Sequence, residues 1–271
     1  MSAPARLFTV LTALALALPA TAPAQGLEGV FEVEIRPGWR TDEGTHMAAL
    51  HVRLAPGWKT YWRAPGDAGI PPDFDWQGSE NITGAAFHWP APEVIWQNGT
   101  RSIGYADELI LPIEITPGAA DAPARMAGIV QLGVCEEVCI PVQVAFDAVL
   151  DPGAARDAAI VGALVDRPMS AAEAGVGTVT CEITPTDRGL AVSAQIEIPP
   201  TGQREEAVIE AGDPAVWVSE PELSRDGSWL TARAEMVHVS GGGFGVDRSA
   251  LRFTLLGADR AVDILGCQAP G

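Results

Sequence analysis

The sequence predicts an all-β protein: two immunoglobulin-like β-sandwich domains joined by a short helical linker. Three observations carry that expectation. Short apolar runs follow one another with Gly, Pro and Asp between them. Where a run is long enough, apolar and polar residues alternate with the period of a strand. One Ala-rich segment in the middle of the chain departs from this pattern and shows helical spacing instead.

The first segment, residues 1–24, reads as a cleaved export signal. Arg6 supplies a positive start, Leu7 to Leu18 is uninterrupted apolar sequence, and Ala22-Pro23-Ala24 offers a small-x-small cleavage site before Gln25. The apolar run stops at Pro19, short of the roughly 18 or more residues that span a bilayer. No Cys follows it to accept a lipid, and no later stretch is long and apolar enough to form an intrinsic membrane span. A soluble, periplasmic mature chain is the expectation.

Residues 25–150 form the first expected domain, with strand-like runs at Val30–Ile35, His46–Leu54, Glu108–Ile115, Ala127–Val134 and Ile140–Val149. In the last of these, Val142, Val144 and Phe146 alternate with Gln143 and Ala145, which buries one face only. Residues 151–175 are the linker. Within Ala154–Val165, the residues Ala158, Val161, Leu164 and Val165 recur at helical intervals ahead of Pro168. Residues 176–271 resume the β pattern at Val179–Thr184, Leu190–Ile198, Ala207–Ala211, Ala215–Val218, Trp229–Val239 and Ala250–Leu256, a second sandwich. Gly241-Gly242-Gly243 lacks the Lys-Ser/Thr of a phosphate loop and reads as a turn. The acceptor-like tripeptides at Asn81 and Asn98 are too short a pattern to carry an argument.

The formal net charge of −18, with Lys59 the only lysine, argues against nucleic acid or anionic lipid as partners. Solubility alone accounts for such a charge.

Four cysteines in an exported chain read as disulfides before metal ligands. Sequence separation favours Cys135–Cys139 and Cys181–Cys267. The second bridge closes about 86 residues, which chain entropy values at about 4–5 kcal/mol, so it reads as a structural staple. The first closes about five residues and is worth about 2 kcal/mol at most as a staple. It sits between two strand-like runs with Glu136, Glu137 and Val138 as the turn, a hairpin in which the cysteines face each other within disulfide reach. Pro141 marks the second strand as an edge, open to a partner. Glu136 and Glu137 disfavour a nearby thiolate, which raises the thiol pKa and biases the pair toward a reductant. A tip-stabilising bridge without further function is the competing reading. Cys-x-x-x-Cys in a hairpin is not a thioredoxin motif, and His46, His51, His88 and His238 show no ligand spacing, so no metal or other cofactor is assigned. Cu(I) held by the two reduced sulfurs stays open.

At these residues the chain resembles the N-terminal periplasmic domain of DsbD-type thiol:disulfide interchange proteins, in particular the two-domain N-terminal region of ScsB-like proteins. The resemblance rests on Ala55-Pro-Gly-Trp-Lys-Thr-Tyr-Trp-Arg63, Trp96-Gln-Asn-Gly-Thr-Arg-Ser-Ile-Gly-Tyr105, Leu109-Ile-Leu-Pro-Ile113 and Leu132-Gly-Val-Cys-Glu-Glu-Val-Cys-Ile-Pro141, in that order. It covers roughly 30–150 and is weak from Val176 onward. It implies an immunoglobulin-like redox domain that passes electrons to oxidised periplasmic thioredoxin-fold proteins, in settings such as cytochrome c biogenesis or copper tolerance. It further implies that Cys139 forms the mixed disulfide, that Cys135 resolves it, and that a cap loop at Asn98, Gly99 and onward to Ile103, flanked by Trp96 and Tyr105, covers the pair. Tyr61 takes the place of an aromatic residue lining the family site. Taken singly, Trp58, Tyr61, Trp62 and Trp96 read as sandwich core. The best-known members space the pair more widely and continue into a membrane electron carrier and a thioredoxin-like domain. For this chain the resemblance therefore implies a separate membrane carrier of the DsbD/CcdA type as donor.

Two function classes follow. One is a protein-disulfide reductase module working through Cys135 and Cys139; the other is a non-enzymatic periplasmic binding module held by two structural disulfides.

Overall fold

The computed structural model describes residues 29–119 and 121–271. The expected export signal, residues 1–24, lies outside them. The first sandwich is built from ten strands: β1 (Phe31–Arg40), β2 (His46–Leu54), β3 (Lys59–Tyr61), β4 (Asp73–Asp75), β5 (Ile82–Phe87), β6 (Glu93–Gln97), β7 (Thr100–Ala106), β8 (Glu108–Pro117), β9 (Ala124–Cys135) and β10 (Cys139–Leu150). One sheet runs β1-β2-β8-β5 and the other β10-β9-β3-β7-β6, with β4 also paired to β9. All of these pairings are antiparallel.

Strand alternation decides what each sheet buries. On β2, Ala48, Leu50 and Val52 enter the sandwich core with Leu109, Leu111, Ile113 and Ile115 of β8. The opposite face of β2 is buried too. There Met47 and Ala49 pack with Trp39 and with Ile160 of α1 (Ala158–Val165), flanked by Ile110 and Leu164. A strand covered on both faces reads as a continuous apolar run, and this one does.

The linker is thus more firmly placed than the sequence suggested. Asp157 caps α1 by accepting from the amides of Ala159 and Ile160 at 2.8 and 3.3 Å, and it pairs with Arg36 of β1 at 2.9 and 3.1 Å. The helix starts at Ala158 rather than Ala154 because the cap lies at Asp157. Beyond it, β11 (Met169–Ser170) leaves the linker and joins the second sandwich.

That second sandwich comprises β11, β12 (Val179–Pro185), β13 (Leu190–Glu197), β14 (Glu206–Glu210), β15 (Val216–Val218), β16 (Glu222–Asp226), β17 (Trp229–His238), β18 (Arg252–Leu256) and β19 (Ala261–Leu265). Its sheets run β11-β19-β18-β14 and β12-β13-β17-β15, with β16 also on β17. Cys181 and Cys267 are bonded, with Cα atoms 5.8 Å apart, and Cys181 is fully buried in the core of this unit. The bridge ties β12 to the C-terminal segment, where the Cys181 amide donates to Gln268 O and the Gln268 amide to Val179 O.

The two sandwiches share an interface. Val208 and Leu256 of the second are buried against the core of the first. Arg63 reaches across to Glu210 with bonds of 3.0 and 2.8 Å while lying 4.0 Å over the Trp62 ring. Arg101 is almost completely buried, paired with Glu206 at 3.0 Å and donating to Ala207 O at 2.9 Å. Among the described residues, no helix is long and apolar enough to cross a membrane.

Candidate functional site

β9 and β10 form an antiparallel ladder without a register shift, from Ala124↔Leu150 to Cys135↔Cys139 at its tip. Val130, Leu132 and Val134 of β9 point into the core. Their neighbours Gln131, Gly133 and Cys135 therefore face outward, and the cysteine pair lies on the outer face of the sheet. Cys135 and Cys139 are bonded, with Cα atoms 4.2 Å apart, across the three-residue turn Glu136–Val138. β10 is an edge strand and Cys139, its first residue, is exposed. Cys135 is wholly buried.

An outward-facing residue is buried only if something covers it, and Tyr61 does so. Immediately after β3, Trp62 enters the core, so Lys59 and Tyr61 turn to the outer face beside the cysteines. The Tyr61 hydroxyl lies 2.8 Å from Cys135 Sγ and 2.8 Å from Cys139 Sγ. Two glycines make room for the ring. A Cβ on Gly133 would stand 2.9 Å from Tyr61 Cδ2, and one on Gly69 would stand 2.8 Å from Tyr61 Cδ1. Burial pushes the phenol pKa above its ordinary value, so the hydroxyl keeps its proton at neutral pH and can donate it to sulfur.

The loop between β3 and β4 closes over this face. Pro65 O accepts from the Ile103 amide at 3.0 Å and Ile70 O from the Gly133 amide at 3.3 Å. Between those anchors, Gly66–Gly69 makes a turn, and Ala68 O lies 3.8 Å from Cys139 Sγ.

From the other side comes the β6–β7 hairpin. Its turn is Asn98-Gly99, both at positive φ (52° and 79°), the two-residue geometry that Asn-Gly favours between strands. Lys59 Nζ donates to Gln97 Oε1 at 2.6 Å, and Gln97 Nε2 donates to Glu136 O at 2.7 Å. The single lysine is thereby held beside the cysteine turn, and burial lowers its pKa. Glu136 and Glu137 are exposed on the turn, as their positions in the sequence require.

The residues expected to form a cap loop separate into three places. Asn98 and Gly99 are exposed at the hairpin tip, and the neighbouring Gln97 makes the contact with the cysteine turn. Ile103 is fully buried and Tyr105 nearly so, both in the sandwich core, with the Tyr105 hydroxyl donating to Pro90 O at 2.9 Å. They face inward because alternation on β7 puts them there, so the cap-loop expectation for these two side chains is corrected. Trp96 is 59% exposed and lies along a cleft with Arg204, Glu206 and Leu256, away from the core reading as well. Of the other aromatics, Trp62 is core and Trp58 packs at its margin. The sequence reading missed Gln97, Gly69, Gly133 and the β3–β4 loop. Its Pro-Gly-Asp-Ala-Gly composition marked a turn, but nothing local said what the turn would cover.

Residues 32–151 match the family model described as thiol:disulfide interchange protein DsbD, N-terminal. This segment is a DsbD-type N-terminal domain. The match contains both members of the Cys135–Cys139 pair and every side chain placed around it above, which makes the segment a thiol-disulfide exchange module. The fold of the DsbD-type sandwich and the second sandwich together is similar to that in the crystal structure of the N-terminal periplasmic domain of ScsB from Proteus mirabilis. The TM-score is 0.65 at 20% identity, covering 89% of this chain and 92% of that one. Comparison with curated proteins gave no match.

Proposed function

We propose that this DsbD-type protein is a periplasmic protein-disulfide reductase component that relays electrons through Cys139 and Cys135 to oxidised thioredoxin-fold proteins. One observation carries the reading: of two bonded sulfurs under one tyrosine hydroxyl, only that of Cys139 belongs to an exposed residue, at the head of an edge strand. A buried staple has no need of an open sulfur. An exchange site needs one that a partner can reach and a second that is shielded until the first has reacted.

The chemistry follows from that asymmetry. In the reduced protein, the Cys139 thiolate attacks one sulfur of the partner's disulfide, forming a mixed disulfide and expelling the partner's other sulfur as a thiolate. The Cys135 thiolate then attacks Cys139 Sγ. The Cys135–Cys139 bond forms, the mixed disulfide breaks, and the partner leaves as a dithiol carrying two electrons and two protons. The Tyr61 hydroxyl reaches both sulfurs, so it can donate to whichever carries negative charge at each step.

Pre-reduced protein mixed with an oxidised periplasmic thioredoxin-fold protein is expected to become oxidised as the partner becomes reduced, and Cys139→Ser is expected to abolish the transfer. Absence of transfer by the unmodified protein to every such partner tested overturns the proposal.

A further inference from the structure

Outside the core interface, the second sandwich also touches the redox face. Trp217, on β15, donates its indole Nε1 hydrogen to Asp67 Oδ1 at 2.7 Å. Asp67 belongs to the Gly66–Gly69 turn, where the Gly69 amide donates to Gly66 O at 3.3 Å. The next residue is Ala68, whose carbonyl abuts Cys139 Sγ, and the one after is Gly69, packed on the Tyr61 ring.

Gly66 and Asp67 are exposed and the turn contains two glycines, features of a segment that opens at little cost unless it is tied down. Its ties are the Pro65 and Ile70 backbone bonds at either end and Trp217 in the middle. The same edge of the second sandwich also holds β7, beneath the turn. Glu206 and Glu220 flank the buried Arg101 guanidinium at 3.0 and 3.7 Å, and the Arg101 carbonyl lies under Gly66.

We propose that Trp217 is a positioning residue for the Cys135–Cys139 pair: through Asp67 it holds the Gly66–Gly69 turn closed against Cys139 and Tyr61, so the second domain sets how readily the disulfide is attacked. This rests on the reading of the pair as an exchange site. The closed turn is packed around bonded sulfurs, and reduction must separate them. The tie therefore favours the oxidised form and restrains attack upon it.

Dithiothreitol provides the test on the full chain. One of its thiolates attacks Cys139 Sγ and Cys135 leaves as a thiolate; its second thiol then closes the dithiothreitol ring and releases Cys139. Trp217→Phe and Asp67→Ala should each raise the rate of this reduction about fivefold, the change that loss of a hydrogen bond of ordinary net strength brings to an opening equilibrium. The potential of the couple should become about 20 mV less negative, which is fivefold in a two-electron equilibrium. Asp67→Asn keeps an acceptor oxygen and should stay near the unmodified rate. The double variant should gain no more than either single one. A merely structural role for Trp217 would lower the melting temperature and leave the potential in place. If the unmodified protein exchanges and the folded variants match it in rate and potential, the positioning role is overturned and the redox reading stands. If the unmodified protein does not exchange at all, both fall.

Discussion

A phenol hydroxyl that lies 2.8 Å from each of two sulfurs has only one proton to donate. Tyr61 therefore serves the pair as a whole and shifts its donation as charge moves between the sulfurs. A bond to a thiolate is stronger than one to a disulfide, so the hydroxyl favours the reduced, ionised state. Tyr61→Phe should raise the pKa of the more acidic thiol in the reduced pair, read from the ultraviolet absorbance of the thiolate. An unchanged titration would show that the hydroxyl packs against the sulfurs without donating to them. Gly133→Ala tests the slot that admits the ring. The added methyl would stand 2.8 Å from Ile70 Cβ and 2.9 Å from Tyr61 Cδ2, so a loss of about 1–3 kcal/mol is expected in chemical denaturation. At this scale the cysteines were legible because their spacing and export context are chemical signals in their own right. Tyr61 was legible only through resemblance. Lys59 stood out as the only lysine, yet its contact with Gln97 depends on a strand pairing that spacing does not reveal.

Among the elements, the cysteine hairpin was the easiest to foresee, since alternation through Val142, Val144 and Phe146 and the proline at 141 imply one buried face and one open edge, and β10 has both. The β6–β7 hairpin carried an equally local signal in Asn98-Gly99, but its flanking strands are short and their exposed and buried residues do not alternate cleanly. The resemblance implies a cap loop there, whereas β7 carries Ile103 and Tyr105 into the core. β3 and β4 have three residues each, too few for a period to show. The other sheet offers a test of pH dependence. Glu114 on β8 accepts from Thr45 Oγ1 at 2.7 Å and pairs with His88 at 2.9 Å, linking the start of β2 to the residue after β5. The Thr45 bond first, and His88 next, hold its carboxyl below the ordinary value of 4.5. A depressed folded pKa contributes stability that is complete above the unfolded pKa and disappears as pH falls through the folded one. The stability gap between unmodified protein and Glu114→Gln should therefore be constant above about pH 5.5 and shrink as acid is added below about pH 4.5. Parallel stability curves down to about pH 2.5 would contradict the assignment.

For the whole molecule, the division of labour between the sandwiches follows from where each disulfide lies. Cys135–Cys139 stands at the surface of the first; Cys181–Cys267 has Cys181 buried in the core of the second and Cys267 partly buried against it, and closes a separation of 86 residues. Replacing Cys181 and Cys267 together by alanine should cost about 2–5 kcal/mol of unfolding free energy without altering the reduction of Cys135–Cys139. A stability unchanged by that double substitution would remove its role as a staple. The interface makes a further demand, because Arg101 is nearly buried beside Glu206. Arg101→Ala strands a carboxylate and should cost about 3 kcal/mol, seen as separation of two unfolding transitions in calorimetry. A single, unshifted transition would show that the pair does not couple the sandwiches. Two β units with a helix between them were visible in composition and periodicity. The docking of the helix, the transfer of Met169–Ser170 to the second sandwich and the Arg63, Arg101 and Trp217 contacts were not, since each joins residues far apart in sequence. The claim on which the rest depends is that Cys135–Cys139 is an exchange site, and the reduction potential of that couple in a thiol redox buffer tests it most directly. An exchange site should show a value less negative than about −300 mV, within reach of thioredoxin-fold partners; a value below that, where structural disulfides lie, would make the pair a staple.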